Sequence, residues 1–206
     1  MTLYYPRLLF SCMLLLLSAC SNWQQTPAQP ANSMTGLANN GDIKHWAVRG
    51  KVGLRTTNEA HSAYLNWSQC GDAFDIRISG PLGQGAAHLV GNTEQVYLTT
   101  SDNQHFSASS ANALLAQQLG WTLPVEQLRY WIKALPDPSQ DYQANPPQQT
   151  LGFQQQSWQL SYPRLTQQGD YQLPSKIIAE QTPLKVTLVI KQWQLKPACN
   201  HEASPP

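Results

Sequence analysis

Charge is what this sequence most lacks. Asp, Glu, Lys and Arg make up 12% of its 206 residues, about half the share of an ordinary soluble protein. The signs also balance, with 13 Lys and Arg against 12 Asp and Glu. Arg7 alone of these precedes residue 20, so the remainder is neutral. That balance argues against a nucleic-acid partner, which is held through clustered cations. Cysteine is scarce as well: four in a chain of this length are too few for a disulfide scaffold. The five His are scattered with no HExxH pair, and there is no GxSxG, P-loop or GxGxxG. No catalytic residue, metal centre or cofactor is therefore expected. What the chain does have is 41% apolar residues, seven Trp and eight Tyr, a composition that excludes disorder. Its 24 Gln supply much of the polar surface that charge would otherwise provide.

There is no long apolar run. Leu8 to Leu17 is ten mostly apolar residues behind the single charge of Arg7. As a helix it rises ~15 Å, half a bilayer core, so it reads as an export signal and not as a permanent span. Leu17-Ser18-Ala19-Cys20 closes this segment and resembles the bacterial lipobox. The resemblance implies cleavage before Cys20 and lipid on that cysteine. Ser21, in place of the Asp that resembles an inner-membrane retention signal, points to the outer membrane. The expected organisation is a signal at 1–19, a Gln-, Asn- and Pro-rich tether at 20–42, one domain at 43–196 and a loose tail at 197–206. Once the signal is gone and Cys20 is lipidated, Cys70 and Cys199 are left. An oxidising compartment allows them to pair, but the sequence does not fix whether they meet.

Strand signals dominate the domain. Trp46, Val48, Val52 and Leu54 alternate with Arg49, Lys51 and Arg55, the two-residue period of a half-buried strand. The same alternation runs through Phe74-Ile76-Ile78, Trp158-Leu160-Tyr162 and Leu184-Val186-Leu188-Ile190. Shorter strands fit at 62–69, 85–90, 95–100, 104–108, 149–155 and 172–180, and short turns between neighbours make them antiparallel. Two amphipathic helices interrupt the strands. Ser110 caps one carrying Leu114, Leu115 and Leu119, and Pro124 opens another carrying Leu128, Trp131 and Ile132. The fold class expected is mainly β with a helical lid (α+β), six strands and then four, with the helices laid over the apolar face.

At this point the residues resemble a known family. Leu128-Arg129-Tyr130-Trp131-Ile132-Lys133-Ala134-Leu135-Pro136 is similar to the LRxWIxxLP helix of the LolB family, outer-membrane lipoprotein receptors. Arg49-Gly50, Gly80-Pro81-Leu82-Gly83 and Trp193 match other landmarks in the same order. The resemblance implies an incomplete antiparallel β-barrel whose concave apolar face is lidded by helices. It implies a monomeric, non-enzymatic receptor that accepts acylated lipoprotein cargo from the periplasmic carrier LolA and inserts it into outer-membrane lipid. It also implies an acyl-chain cavity built from Trp46, Val48, Val52, Leu65, Trp67, Ile76 and Ile78 on strands and from Leu114, Leu115, Leu119, Leu128, Trp131 and Ile132 on helices. Periodicity alone reads the same residues as a packed core.

The Gly80–Gly83 segment fits a β-turn with Pro81 at its second position, which puts Leu82 near a tip. The residues leave open whether Leu82 folds back or protrudes; the resemblance implies that Pro81, Leu82 and Gly83 form a membrane-insertion loop. Two rival readings stand beside this one. The first is a structural or assembly lipoprotein with a filled β core. The second is a lipid-anchored envelope hydrolase, which needs a nucleophile and base that the chain does not display.

Overall fold

A computed structural model describes residues 33–83, 85–119 and 124–199, with the side chains of Leu82 and Leu119 not described. Cys20 and the first part of the expected tether lie outside the described residues.

Eleven strands form one antiparallel sheet. They are β1 (His45–Arg55), β2 (Ala60–Cys70), β3 (Ala73–Ser79), β4 (Ala87–Gly91), β5 (Val96–Thr100), β6 (His105–Ala108), β7 (Tyr142–Ala144), β8 (Gly152–Gln155), β9 (Trp158–Gln168), β10 (Tyr171–Gln181) and β11 (Leu184–Leu195). Helices α1 (Ala111–Leu119) and α2 (Val125–Trp131) sit between β6 and β7. The spatial order is β6-β5-β4-β3-β2-β1-β11-β10-β9-β8-β7, so two meanders meet at a single β1–β11 seam. The sheet does not close: β6 and β7 are its edges among the described residues.

The register follows the two-residue alternation. Val52 stands opposite Leu188, Leu65 opposite Ile78 and Trp67 opposite Ile76, and these side chains share the inner face. Lys51, Tyr64 and Val189 stand opposite one another on the outer face. The seam is bulged between Arg49 and Gly50. A Cβ on Gly50 would lie 2.2 Å from the Val189 carbonyl oxygen, so the bulge can only be built on glycine. This close approach gives the Arg49-Gly50 pair a physical meaning.

Three expectations need correction. The C-terminal block has five strands and not four, because Tyr142–Ala144 pairs with β8 inside the Pro- and Gln-rich stretch. Residues Met34–Asp42, expected in the tether, form a 3-10 helix whose Leu37 is fully buried. Asn40 fixes this segment by donating to the carbonyls of Lys133 and Gln172 at 2.9 and 2.8 Å. The expected loose tail is held at its start, since Cys199 is disulfide-bonded to Cys70 with Cα atoms 5.8 Å apart, within the range such a bridge requires.

Candidate functional site

The helices are placed by few but specific contacts. The Ser110 hydroxyl accepts from Ala113 N–H at 3.2 Å, the expected cap of α1. Pro124 precedes α2 and does not form its first residue, and it has no side chain able to cap. Asn112 on α1 fills the gap, its Oδ1 accepting from Val125 N–H at 2.8 Å. The far end of α2 is held more firmly. Gln155 of β8, fully buried, accepts from Trp131 Nε1 at 2.7 Å and from Asp137 N–H at 2.9 Å, and donates to the Asp137 and Gln140 carbonyls. The Tyr162 hydroxyl donates to the Trp131 carbonyl at 3.0 Å. Arg129 pairs with Asp72 in the β2–β3 turn and lies over the Tyr130 ring at 4.9 Å.

Lys133, just past α2, is buried, and its Nζ donates to the Ile43 carbonyl at 3.0 Å. Burial lowers its pKa to about 8, helped by the nearby charges of Lys44 and Arg129.

Under this lid the interior is not filled. A cavity of about 280 Å³ is lined by residues of β1 to β6, β10, β11 and both helices, so the sheet must curve around it. Nine of the expected cavity residues line it: Val52, Leu65, Trp67, Ile76, Ile78, Leu115, Leu128, Trp131 and Ile132. Trp46, Val48 and Leu114 do not; they belong to the packed core. Trp46 and Val48 lie toward the end of the sheet where Trp46 meets the Trp67 and Trp193 rings at 5.1 and 5.8 Å. Leu114 is fully buried beneath α1. The side chain of Leu119 is not described.

Sequence reasoning missed the far walls, Leu89, Leu98 and Phe106 on one side and Ile177, Ala179 and Leu188 on the other. Their alternation was visible, but alternation marks a face and not which part of it stays empty.

Only Thr100, Asp102, Gln104 and Gln118 among the lining residues are polar. The last three are exposed and mark the mouth. The β3–β4 connection lies at the same end, since Ala87, the first residue of β4, pairs with Thr100. There the expected turn exists, with Gly83 N–H donating to the Gly80 carbonyl at 3.1 Å. Gly83 takes φ +79 with open space around it, and Pro81 and Gly83 are exposed.

The fold and cavity define an open antiparallel half-barrel with an apolar interior under a helical lid. The family described as "Outer membrane lipoprotein LolB" matches residues 44–193, and the chain belongs to it. An outer-membrane lipoprotein LolB of Pseudomonas fluorescens is 38% identical over 175 residues, 82% of each chain. One of Stutzerimonas stutzeri is 35% identical over 199 residues, 91% of this chain and 94% of that one. Among solved structures, a LolA superfamily protein of Nitrosomonas europaea shares the fold with a TM-score of 0.52 at 11% identity, covering 80% of this chain and 94% of that one.

Proposed function

We propose that this chain is a lipid-anchored receptor that takes acylated lipoproteins from the carrier LolA into its apolar cavity and passes them to the outer membrane. The observation that carries the reading is a cavity whose polar lining is confined to its mouth, beside the Gly80–Gly83 turn. Acyl tails carry no hydrogen-bonding groups, so a wall without donors or acceptors suits them. Each buried methylene is worth ~0.8 kcal/mol, so wetting up to three acyl chains costs on the order of 30 kcal/mol. Such cargo needs shelter along its whole path.

The resting cavity is small beside the ~300–1,000 Å³ of ordinary ligand sites. Loading therefore requires the lid to move. The α1 end of the lid is the part free to do so, since α2 is held at its far end by Gln155 and Tyr162. Transfer needs no nucleotide if the grip tightens from carrier to receptor to bilayer. In this reading Cys20 carries the anchor, and Leu82, on an exposed turn at the mouth, enters the bilayer and opens a path for the tails.

The test is transfer of an acylated lipoprotein from LolA, through this chain, to liposomes. Wild type should deliver. Leu82→Glu should still strip cargo from the carrier and fail to deliver it. Normal delivery by Leu82→Glu refutes the insertion role, and failure of the wild type to take cargo refutes the receptor.

A further inference from the structure

From Cys20 onward the sequence balances its formal charge, yet the fold separates it. The outer face of β1, β9, β10 and β11 carries Arg49, Lys51, Arg55, Arg164, Lys176 and Lys191. The only acid in these four strands is Glu180, which is already paired with Lys185. None of the six cations has an ion-pair partner among the described residues.

Their register concentrates them. Arg164 stands directly opposite Lys176, and Lys176 and Lys51 flank Val189 on its two sides. Arg55 stands opposite Lys185. Directly opposed like charges work against a sheet, and among the described residues only Glu180, on Lys185, offsets any of them. The cations spread over four neighbouring strands, about 14 Å across, and none of them lines the apolar cavity.

We infer that this outer face is an interaction surface for anionic lipid headgroups. A broad sheet face with long, separate cations suits a plane of headgroups better than a single phosphate, which needs converging donors. The patch is also continuous with the turn at the cavity mouth. Tyr64, half exposed with Lys51 lying 5.0 Å from its ring centre, stands opposite Ser79, the residue before Gly80. A tyrosine at that place has the apolar body and polar tip that suit the level of the headgroups. The arrangement lays the sheet against an anionic leaflet with the 80–83 turn at the bilayer.

The test uses the lipidated chain reconstituted in vesicles and reads the amine labelling of each lysine by mass spectrometry. Vesicles of phosphatidylcholine alone are compared with vesicles holding about 30% phosphatidylglycerol. Lys51, Lys176 and Lys191 should be protected about threefold or more in the anionic vesicles only, and high salt should reverse this. Lys44 and Lys196, at the opposite end of the sheet, should label alike in both. A folded Lys51→Glu/Lys176→Glu variant should lose the protection of Lys191.

Equal labelling in both vesicles overturns the proposal. So does protection in phosphatidylcholine alone, which the anchor by itself would produce. Protection that appears only when the soluble carrier is added assigns the face to an acidic protein and likewise overturns it. The inference needs only the membrane location, so Leu82→Glu should fail in delivery and still show the lysine protection.

Discussion

Lys133 shows how a single residue can be misplaced by pattern and explained by geometry. It sits where helical spacing puts a wet face, but it is buried where the 3-10 segment Met34–Asp42 meets the end of the lid: Asn40 donates to its carbonyl, and its own Nζ reaches the Ile43 carbonyl just past that segment. Its ammonium keeps one described hydrogen bond, to Ile43. The pKa falls to about 8 in the folded chain because burial and two neighbouring cations disfavour the charge. The unfolded chain holds its proton to about 10.4. Between these values the unfolded state binds more protons, so this group makes stability rise with pH across that window. The benefit is complete above the upper value and is lost as pH falls through about 8. Denaturant melts at pH 7.5, 9 and 10 should show the rise, and Lys133→Met should flatten it. A wild type and a variant with parallel pH profiles would mean that Lys133 is hydrated. The signal for this burial was absent from the sequence, because a Gln- and Asn-rich approach segment carries little apolar periodicity and only Leu37 and Asn40 show that it docks.

At the scale of elements, the strands were legible wherever one face is buried and the other wet, as in β1, β9 and β11. There the two-residue period is enforced by the pleat. β7 was not legible: its three residues are all exposed, so no burial pattern writes it into the sequence. The helices were legible from spacing, and the Ser110 cap was visible, but the cap of α2 was not. It comes from Asn112, thirteen residues earlier, and only the packing of α1 beside α2 brings the two together. This long-range cap is the lid's own internal link. Asn112→Ala should cost about 1 kcal/mol and, more tellingly, loosen α2 at its start. Amide exchange at Val125 and Gln127 should speed up while that of Ile132, bonded to the Leu128 carbonyl, stays slow. Uniform acceleration along the whole helix would show that α2 opens as one body, and the firmly held far end would then not be a hinge.

For the whole molecule the β1–β11 seam is the decisive feature, since among the described strands it is the one pairing that joins the six before the lid to the five after it. The Cys70–Cys199 bridge crosses this seam. Cys70 stands opposite His45 at the start of β1, and Lys196, just past β11, donates its N–H to the His45 carbonyl at 3.1 Å. The bridge thus passes over the first residue of β1 at the closed end of the sheet, beside the cluster of Trp46, Trp67 and Trp193. The mouth lies at the other end. The sequence supplied two leftover cysteines but not their meeting, because 129 residues separate them and only the antiparallel return of β11 onto β1 closes that distance. A loop of that length restricts the unfolded chain strongly, and the bridge should contribute about 2–4 kcal/mol. Cys70→Ser/Cys199→Ser should therefore melt roughly 5–12 °C lower. Because the bridge clamps the end away from the mouth, the double variant, once folded, should take up a fluorescent fatty acid with unchanged affinity. Unchanged melting would mean that the seam holds without its staple. A large loss of uptake at a temperature where the variant is folded would mean that the two halves must be locked at the closed end for the cavity to keep its shape.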